Sequence, residues 1–191
     1  MHCGKPLDRA EDEYCGDCRD RESFVTQGRS LWLHREPVPH AVYRFKYHNR
    51  RSYGKVFARE MENYYGAWLE KCGIEGILPV PLHPSRKRKR GFNQAEILAR
   101  ELSELTQIPV CTDVLYRIKR TSPQKTLGPG ERKANLKGAF AVPASWKPLK
   151  NVLLVDDIYT TGSTVERCAA VLKKAGVENV WFLTISIGQG I

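Results

Sequence analysis

Long apolar runs are missing from this sequence. No stretch approaches the roughly 18 consecutive apolar residues that a membrane-crossing helix needs, so no membrane insertion is expected. The first fifteen residues, MHCGKPLDRAEDEYC, hold no apolar stretch and carry several acids, unlike a secretory leader, and a cytoplasmic location is expected. Internal repeats are absent, which excludes solenoids and arrays. Acids are scarce: 21 Asp and Glu stand against 31 Lys and Arg, for a net charge of +10. Residues 1–20 hold three bases (Lys5, Arg9, Arg19) against six acids, so the remaining 171 residues sum to +13. Such an excess favours polyanions: nucleotides, pyrophosphates or nucleic acid. A basic surface that serves only solubility is the plainer account.

With 191 residues, the chain has room for one main domain and a small appendage. Residues 1–20 look like a small knuckle. A helical stretch is expected between it and His34, and His34 to Pro39, with two prolines, is then a break. Residues 40–49 and 52–71 read as helices with mixed aromatic and basic faces, and 76–82 as a short strand stopped by prolines. Residues 84–92 read as a basic loop. Asn93 caps a helix running to Leu105, with Glu96 in capping-box position and Ala95, Leu98, Leu102 and Leu105 on one face. Strands are expected at 113–121 and 138–142, around a polar loop at 122–136 containing a short helix. Then comes the clearest unit. VLLV, 152–155, reads as a strand buried on both faces of a parallel sheet, a helix follows from about Thr164 to Gly176, and VWFLTISI is a second buried strand. The fold class expected is therefore α/β, with a parallel sheet flanked by helices.

The segment DDIYTTGST lies between that strand and its helix. Ligands of open parallel sheets bind beyond the carboxyl ends of the strands. Gly162 lets the backbone turn tightly toward a ligand. The first N–H groups of the helix lack internal partners and attract an anion, and the hydroxyls of Thr161, Ser163 and Thr164 add donors. A phosphomonoester fits there. Asp156 and Asp157 cannot contact phosphate favourably, but they can accept hydrogen bonds from sugar hydroxyls or orient water on a ligand-held Mg²⁺. One loop thus reads a phosphorylated ribose. An ordinary capped helix after a strand is the simpler alternative.

Five consecutive cations, Arg86, Lys87, Arg88, Lys89 and Arg90, stand upstream. They could clamp a pyrophosphate or track a DNA backbone. Residues 115–138 add seven bases against one acid, and residues 29–60 add eight against two, interleaved with Tyr43, Phe45, Tyr47 and Tyr53. Bases alternating with aromatics suit single-stranded DNA, by charge plus stacking, unless the aromatics are core.

Of six cysteines, Cys3, Cys15 and Cys18 crowd into the first eighteen residues. A cytosolic chain would not keep structural disulfides, so the cluster points to metal, and the C-x-x-C turn of Cys15 and Cys18 suits two ligands of a tetrahedral Zn²⁺. His2 is too close to Cys3 for a comfortable fourth ligand. A knuckle without metal and a redox pair remain alternatives.

VLLVDDIYTTGST closely resembles the phosphoribosyl pyrophosphate motif of type I phosphoribosyltransferases. The resemblance implies that Asp156 and Asp157, as the catalytic pair, bind the ribose hydroxyls, while Ile158, Tyr159, Thr160, Thr161, Gly162, Ser163 and Thr164 hold the 5-phosphate. Phe45-Lys46-Tyr47, Pro79 to His83, Arg90-Gly91-Phe92-Asn93-Gln94, then Gln124, Arg132 and Asn135 occur in the order seen in the competence protein F-like (ComF) family. That resemblance spans nearly the whole chain. It implies a type I phosphoribosyltransferase fold at 23–191 and a zinc-ribbon-like knuckle at 1–22. It also implies a role in DNA uptake during natural transformation, beside the DNA-translocation and recombination proteins of the competence machinery. Arg90, Asn93, Gln94 and Arg132 would lie near the pyrophosphate. Cys3-Gly4-Lys5-Pro6 matches only the second half of the family's C-x-x-C-G-K-P, so the knuckle reads as a zinc finger shortened at its start. Both a catalyst that releases pyrophosphate and a binding module are compatible with these residues, and no acceptor pocket can be identified in them.

Overall fold

The computed structural model describes every residue except 1, 8, 10, 20, 21, 49, 120–137 and 189–191. The expected loop and helix at 122–136, with Gln124, Arg132 and Asn135, therefore lie outside the described residues. Twelve elements are described: α1 (Gly16–Arg19), β1 (Gln27–Leu33), α2 (Val38–Tyr47), α3 (Tyr53–Lys71), β2 (Gly76–Pro79), α4 (Pro84–Arg90), α5 (Gln94–Thr106), β3 (Tyr116–Arg117), β4 (Phe140–Ala141), β5 (Asn151–Tyr159), α6 (Ser163–Lys174) and β6 (Asn179–Ile187).

The main sheet has the order β1-β6-β5-β2, with every neighbouring pair parallel. β3 and β4 form a separate antiparallel ribbon. Parallel strands are buried on both faces, and β5 shows why VLLV is continuously apolar. Val152 and Leu154 pack with Val165, Cys168, Ala169 and Leu172 of α6, while Leu153 and Val155 pack with α2, α3 and α5 on the opposite face. Fully burying each such side chain is worth about 1.5–3 kcal/mol, so these two layers fix the strand's register.

The N-terminal segment joins the α6 face. Cys3 is buried in the same cluster as Val25, Tyr159 and Phe182, and Gly28 donates its N–H to the His2 carbonyl at 2.8 Å. Glu166 on α6 accepts from the Ser23 hydroxyl at 2.5 Å and from the Phe24 N–H at 3.1 Å.

Five expectations are corrected. The segment before His34 contains a strand, β1, rather than a helix: Gln27–Leu33 pairs along the edge of β6. Tertiary pairing there overrides a sequence with no clear period. The basic stretch is a helix, α4, rather than a loop. Pro84 stands in its first turn, the His83 ring accepts from the Ser85 N–H at 3.2 Å, and Gly91 ends it at φ 84°. Pro at the start and a left-handed Gly just past the end are helix boundaries, and they outweigh the mutual repulsion of the cations. β5 does not stop at Val155 but runs to Tyr159, carrying both acids inside the strand. Leu105 is 44% exposed, so the buried face of α5 is Ala95, Leu98 and Leu102. In addition, the strand expected at 113–121 is only the two residues of β3 among the described ones.

Candidate functional site

Because all four strands of the main sheet are parallel, their carboxyl ends share one edge. β5 leads into α6 on one face and β2 leads into α5 on the other, so the gap between β5 and β2 is a topological switch point. A hollow of about 600 Å³ opens there. Its walls come from Val80 to Leu82 after β2, the α4 cations, the end of β5, and Lys46 and Tyr47 of α2.

The two acids do different work. Asp157 is buried and doubly held: Lys46 Nζ lies 2.9 Å from Oδ1, and Gln94 Nε2 donates to Oδ2 at 2.6 Å. Asp156, half-buried, accepts the Asp157 N–H at 2.8 Å. Burial and the charge of Asp157 push Asp156 up to about 7. An acid so poised is half protonated near neutrality and gains its charge when a cation or a hydrogen-bond donor arrives.

The cations divide by helical spacing. Arg86, Lys89 and Arg90, at i, i+3 and i+4 on α4, line the hollow. Lys87 turns away to Glu96 Oε2 at 3.0 Å, and Arg88 does not line the hollow. Arg90 donates to Gln94 Oε1 and lies 4.8 Å over the Tyr47 ring. Arg90, Gln94, Asp157 and Lys46 are thus one connected polar chain. Asn93 caps α5 by accepting the Ala95 N–H at 3.2 Å, and its amide donates to the Val80 carbonyl at 3.0 Å. It supports the wall without lining the hollow. Glu96 spends its carboxylate on Lys87 and Arg100, so the expected capping box is half formed.

The hydroxyl loop is shaped by one glycine. Gly162 has φ +72°, and a Cβ there would meet the Tyr159 hydroxyl at 2.2 Å. Tyr159 is itself fixed, stacked on Phe182 at 4.6 Å and 2°. Thr160 and Thr164 line the hollow. The hydroxyls of Thr161 and Ser163 hydrogen-bond each other at 2.8 Å, and Ser163 is buried. Ile158 lines the hollow, whereas Tyr159 belongs to the core.

Two charged lining residues escaped the sequence reading as site residues. Arg117, 8% exposed on β3, reaches the hollow over Phe140 at 5.4 Å, and burial together with Arg86 lowers its ordinary value. A lone Arg between Leu115 and Ile118 was the available signal. Lys46 read as part of a basic aromatic helix, and only the fold brings it to Asp157. The aromatics of that helix also separate: Phe45 is fully buried core, whereas Tyr43 and Tyr47 are 50% and 53% exposed.

Away from the sheet edge, the sulfurs of Cys3, Cys15 and Cys18 lie within 4.8 Å of one another, with Cys3 and Cys15 at 3.4 Å. Tetrahedral zinc with Zn–S near 2.3 Å separates its sulfurs by about 3.8 Å, so three corners of such a site fit. Burial pushes the Cys3 and Cys18 thiols up, which keeps them protonated until a cation displaces the protons. The acids also fit a magnesium–pyrophosphate ligand. Asp156 lines the same hollow as Arg86, Lys89 and Arg90, so a hard oxygen donor and cations share the space that a metal-bound diphosphate would need.

Residues 88–186 match the model of the phosphoribosyl transferase domain family. Competence protein F of Haemophilus influenzae is 34% identical over 186 residues, covering 94% of this chain and 80% of that protein. The DNA utilization protein YhgH of Escherichia coli K12 is 36% identical over 186 residues, 95% of this chain and 81% of that one. Competence protein ComFC of Bacillus subtilis is 28% identical over 181 residues, 91% and 71% respectively.

Proposed function

The chain belongs to the phosphoribosyl transferase domain family, in its competence protein F branch, and from that premise we propose that it binds phosphoribosyl pyrophosphate and acts in DNA uptake. The observation that carries the ligand reading is the convergence, in one hollow at the switch point, of Asp156, the hydroxyl loop and four cations, Arg86, Lys89, Arg90 and Arg117. Thr160, Thr164 and the start of α6 cradle the 5-phosphate, with Gly162 shaping the turn. Asp156 takes the ribose hydroxyls, and Asp157, held by Lys46 and Gln94, orients it and the strand end. The α4 cations neutralise the pyrophosphate. Bound Mg²⁺ would supply further neutralisation of the diphosphate.

The names of the relatives support a competence role, and the exposed bases Arg50, Arg51, Lys55, Arg59 and Arg88 support contact with single-stranded DNA. Residues 1–22 form the zinc knuckle of this reading and 23–191 the phosphoribosyltransferase-like domain. DNA-translocation or recombination proteins of the competence machinery would be its partners, in the cytoplasm. Among the described residues no helix is long and apolar enough to cross a membrane.

Calorimetry with phosphoribosyl pyrophosphate and Mg²⁺ tests the ligand reading. Saturable one-to-one binding, weakened more than about tenfold by Arg86→Ala with Lys89→Ala, is expected, a loss of more than about 1.4 kcal/mol. No heat at millimolar ligand sinks it. A labelled oligonucleotide titrated at two salt concentrations tests the DNA contact, and failure to bind at low salt ends it. Catalysis is the second reading, favoured by the cation-lined space for a leaving pyrophosphate. Pyrophosphate release across a panel of bases and amines would establish it.

A further inference from the structure

The hydroxyl loop has two banks, and each is braced by a different part of the cysteine knuckle. The entry bank is Tyr159, the last residue of β5. Its ring stacks on Phe182 at 4.6 Å and 2°. Phe182 packs so closely on Gly28 of β1 that a Cβ there would collide with its ring. Gly28 donates its N–H to the His2 carbonyl at 2.8 Å, and a Cβ on Gly4 would meet the Gly28 carbonyl at 2.9 Å. The segment that carries Cys3 is therefore seated on the strand against which the ring stack packs. Cys3 itself is buried in the same cluster as Tyr159 and Phe182.

The exit bank is the first turn of α6. Glu166 donates its N–H to the Gly162 carbonyl at 2.9 Å. Its buried carboxylate accepts from the Ser23 hydroxyl at 2.5 Å and from the Phe24 N–H at 3.1 Å. Hydrogen bonds to a carboxylate are among the stronger ones, so this contact is a firm link. Ser23 follows Cys18 by five residues, so this brace descends from the Cys15–Cys18 turn. Cys3 thus belongs to one brace, and Cys15 and Cys18 to the other. Between them the Cys3 and Cys15 thiols touch at 3.4 Å, a weak contact as hydrogen bonds go. All three sulfurs lie within 4.8 Å of one another, so bonds from thiolates to one cation would replace that contact with a strong link.

We infer that the knuckle is an effector site for the phosphate loop: a thiophilic divalent cation on Cys3, Cys15 and Cys18 clips the two braces together and tightens residues 160–162 on a phosphomonoester. This rests on the proposed reading of that loop. Ser23 and Glu166 are positioning residues, since neither lines the hollow. A loop ordered in advance loses less backbone freedom when phosphate binds. Cation and phosphate then favour the same arrangement, and each raises the other's affinity by the same factor.

Calorimetry on the full chain, zinc-loaded and chelator-stripped, with ribose 5-phosphate as the probe, reads the coupling. The zinc-loaded chain is expected to bind at least about fivefold tighter. Zn²⁺ affinity, measured by competition with a chromogenic chelator, should rise by the same factor at saturating ribose 5-phosphate. Ser23→Ala should keep zinc binding and the stripped chain's affinity for ribose 5-phosphate, and lose the gain in both directions. Should the stripped chain unfold, the native and Ser23→Ala chains are compared zinc-loaded, and binding about fivefold weaker is expected in the variant. Equal affinity with and without zinc in a folded chain overturns the inference while the phosphate reading stands. In either comparison, a Ser23→Ala chain that binds as the native chain does overturns it, because the brace through Glu166 then carries nothing. Failure to take up Zn²⁺ overturns it as well. If ribose 5-phosphate binds in neither state, the reading of the loop falls and the inference falls with it.

Discussion

Lys46 and Asp157 form an ion pair deep in the wall of the site, and Lys46→Met isolates what the pair contributes. The side chains are 15% and 8% exposed and meet at 2.9 Å. At an effective dielectric near 20, two unit charges at that separation attract by about 6 kcal/mol before desolvation is counted. Removing one partner of a buried pair commonly costs about 3–5 kcal/mol, because the remaining charge keeps its desolvation penalty. Here Gln94 still donates to Asp157 at 2.6 Å, which softens the loss. A cost of about 3 kcal/mol is therefore expected, at the low end of that range. In urea denaturation with an m-value of about 2 kcal/mol/M, the midpoint should fall by about 1.5 M with m unchanged. Asp157→Asn removes the stranded charge, so the double variant should be more stable than the sum of the single losses by about 2 kcal/mol. Additivity to within about 0.5 kcal/mol would refute the coupling and make the pair an incidental contact.

Gly162→Ala should disturb the loop in two ways. Positive φ costs a non-glycine residue about 1–2 kcal/mol, and the new Cβ displaces Tyr159 from Phe182. Ribose 5-phosphate affinity should drop about tenfold or more by calorimetry, and unchanged affinity would detach the loop from the phosphate. Asp156 yields a pH dependence. Its carboxyl is raised to about 7, so the stability it contributes is full below its unfolded value near 4 and is lost as pH rises through 7. Asp156→Asn should accordingly gain stability relative to the native chain as pH rises from about 4 to 7 in denaturant titrations, whereas a pH-independent difference would mean that Asp156 titrates normally. At the knuckle, one equivalent of Zn²⁺ should bind by elemental analysis. Cobalt(II) should show thiolate charge-transfer absorption that Cys18→Ser weakens, and absence of that absorption would leave the three thiols without a metal role.

The sequence by itself determined the parts governed by short-range rules. VLLV announced a strand buried on both faces because every residue there is apolar, and Asn93 announced the start of α5 by its capping amide. Gly162 and its flanking hydroxyls announced the tight turn into α6, because few other residues accept that backbone. The α4 helix was written there too, in Pro84 and Gly91, but the density of charge between them masked the boundary signals.

Tertiary structure decided what depends on partners far along the chain. β1 becomes a strand only because β6 offers it an edge. Asp157 is paired with the charge of Lys46 from α2 and accepts a hydrogen bond from Gln94 of α5, two residues whose approach no local period encodes. Arg117 lines the cation-rich hollow from a two-residue strand, and Tyr43 of α2 lines a second hollow beside it. Local sequence fixes backbone conformation through sterics and capping. The meeting of charges and rings is fixed by which faces of the sheet the helices bury, and that is a property of the packed chain as a whole.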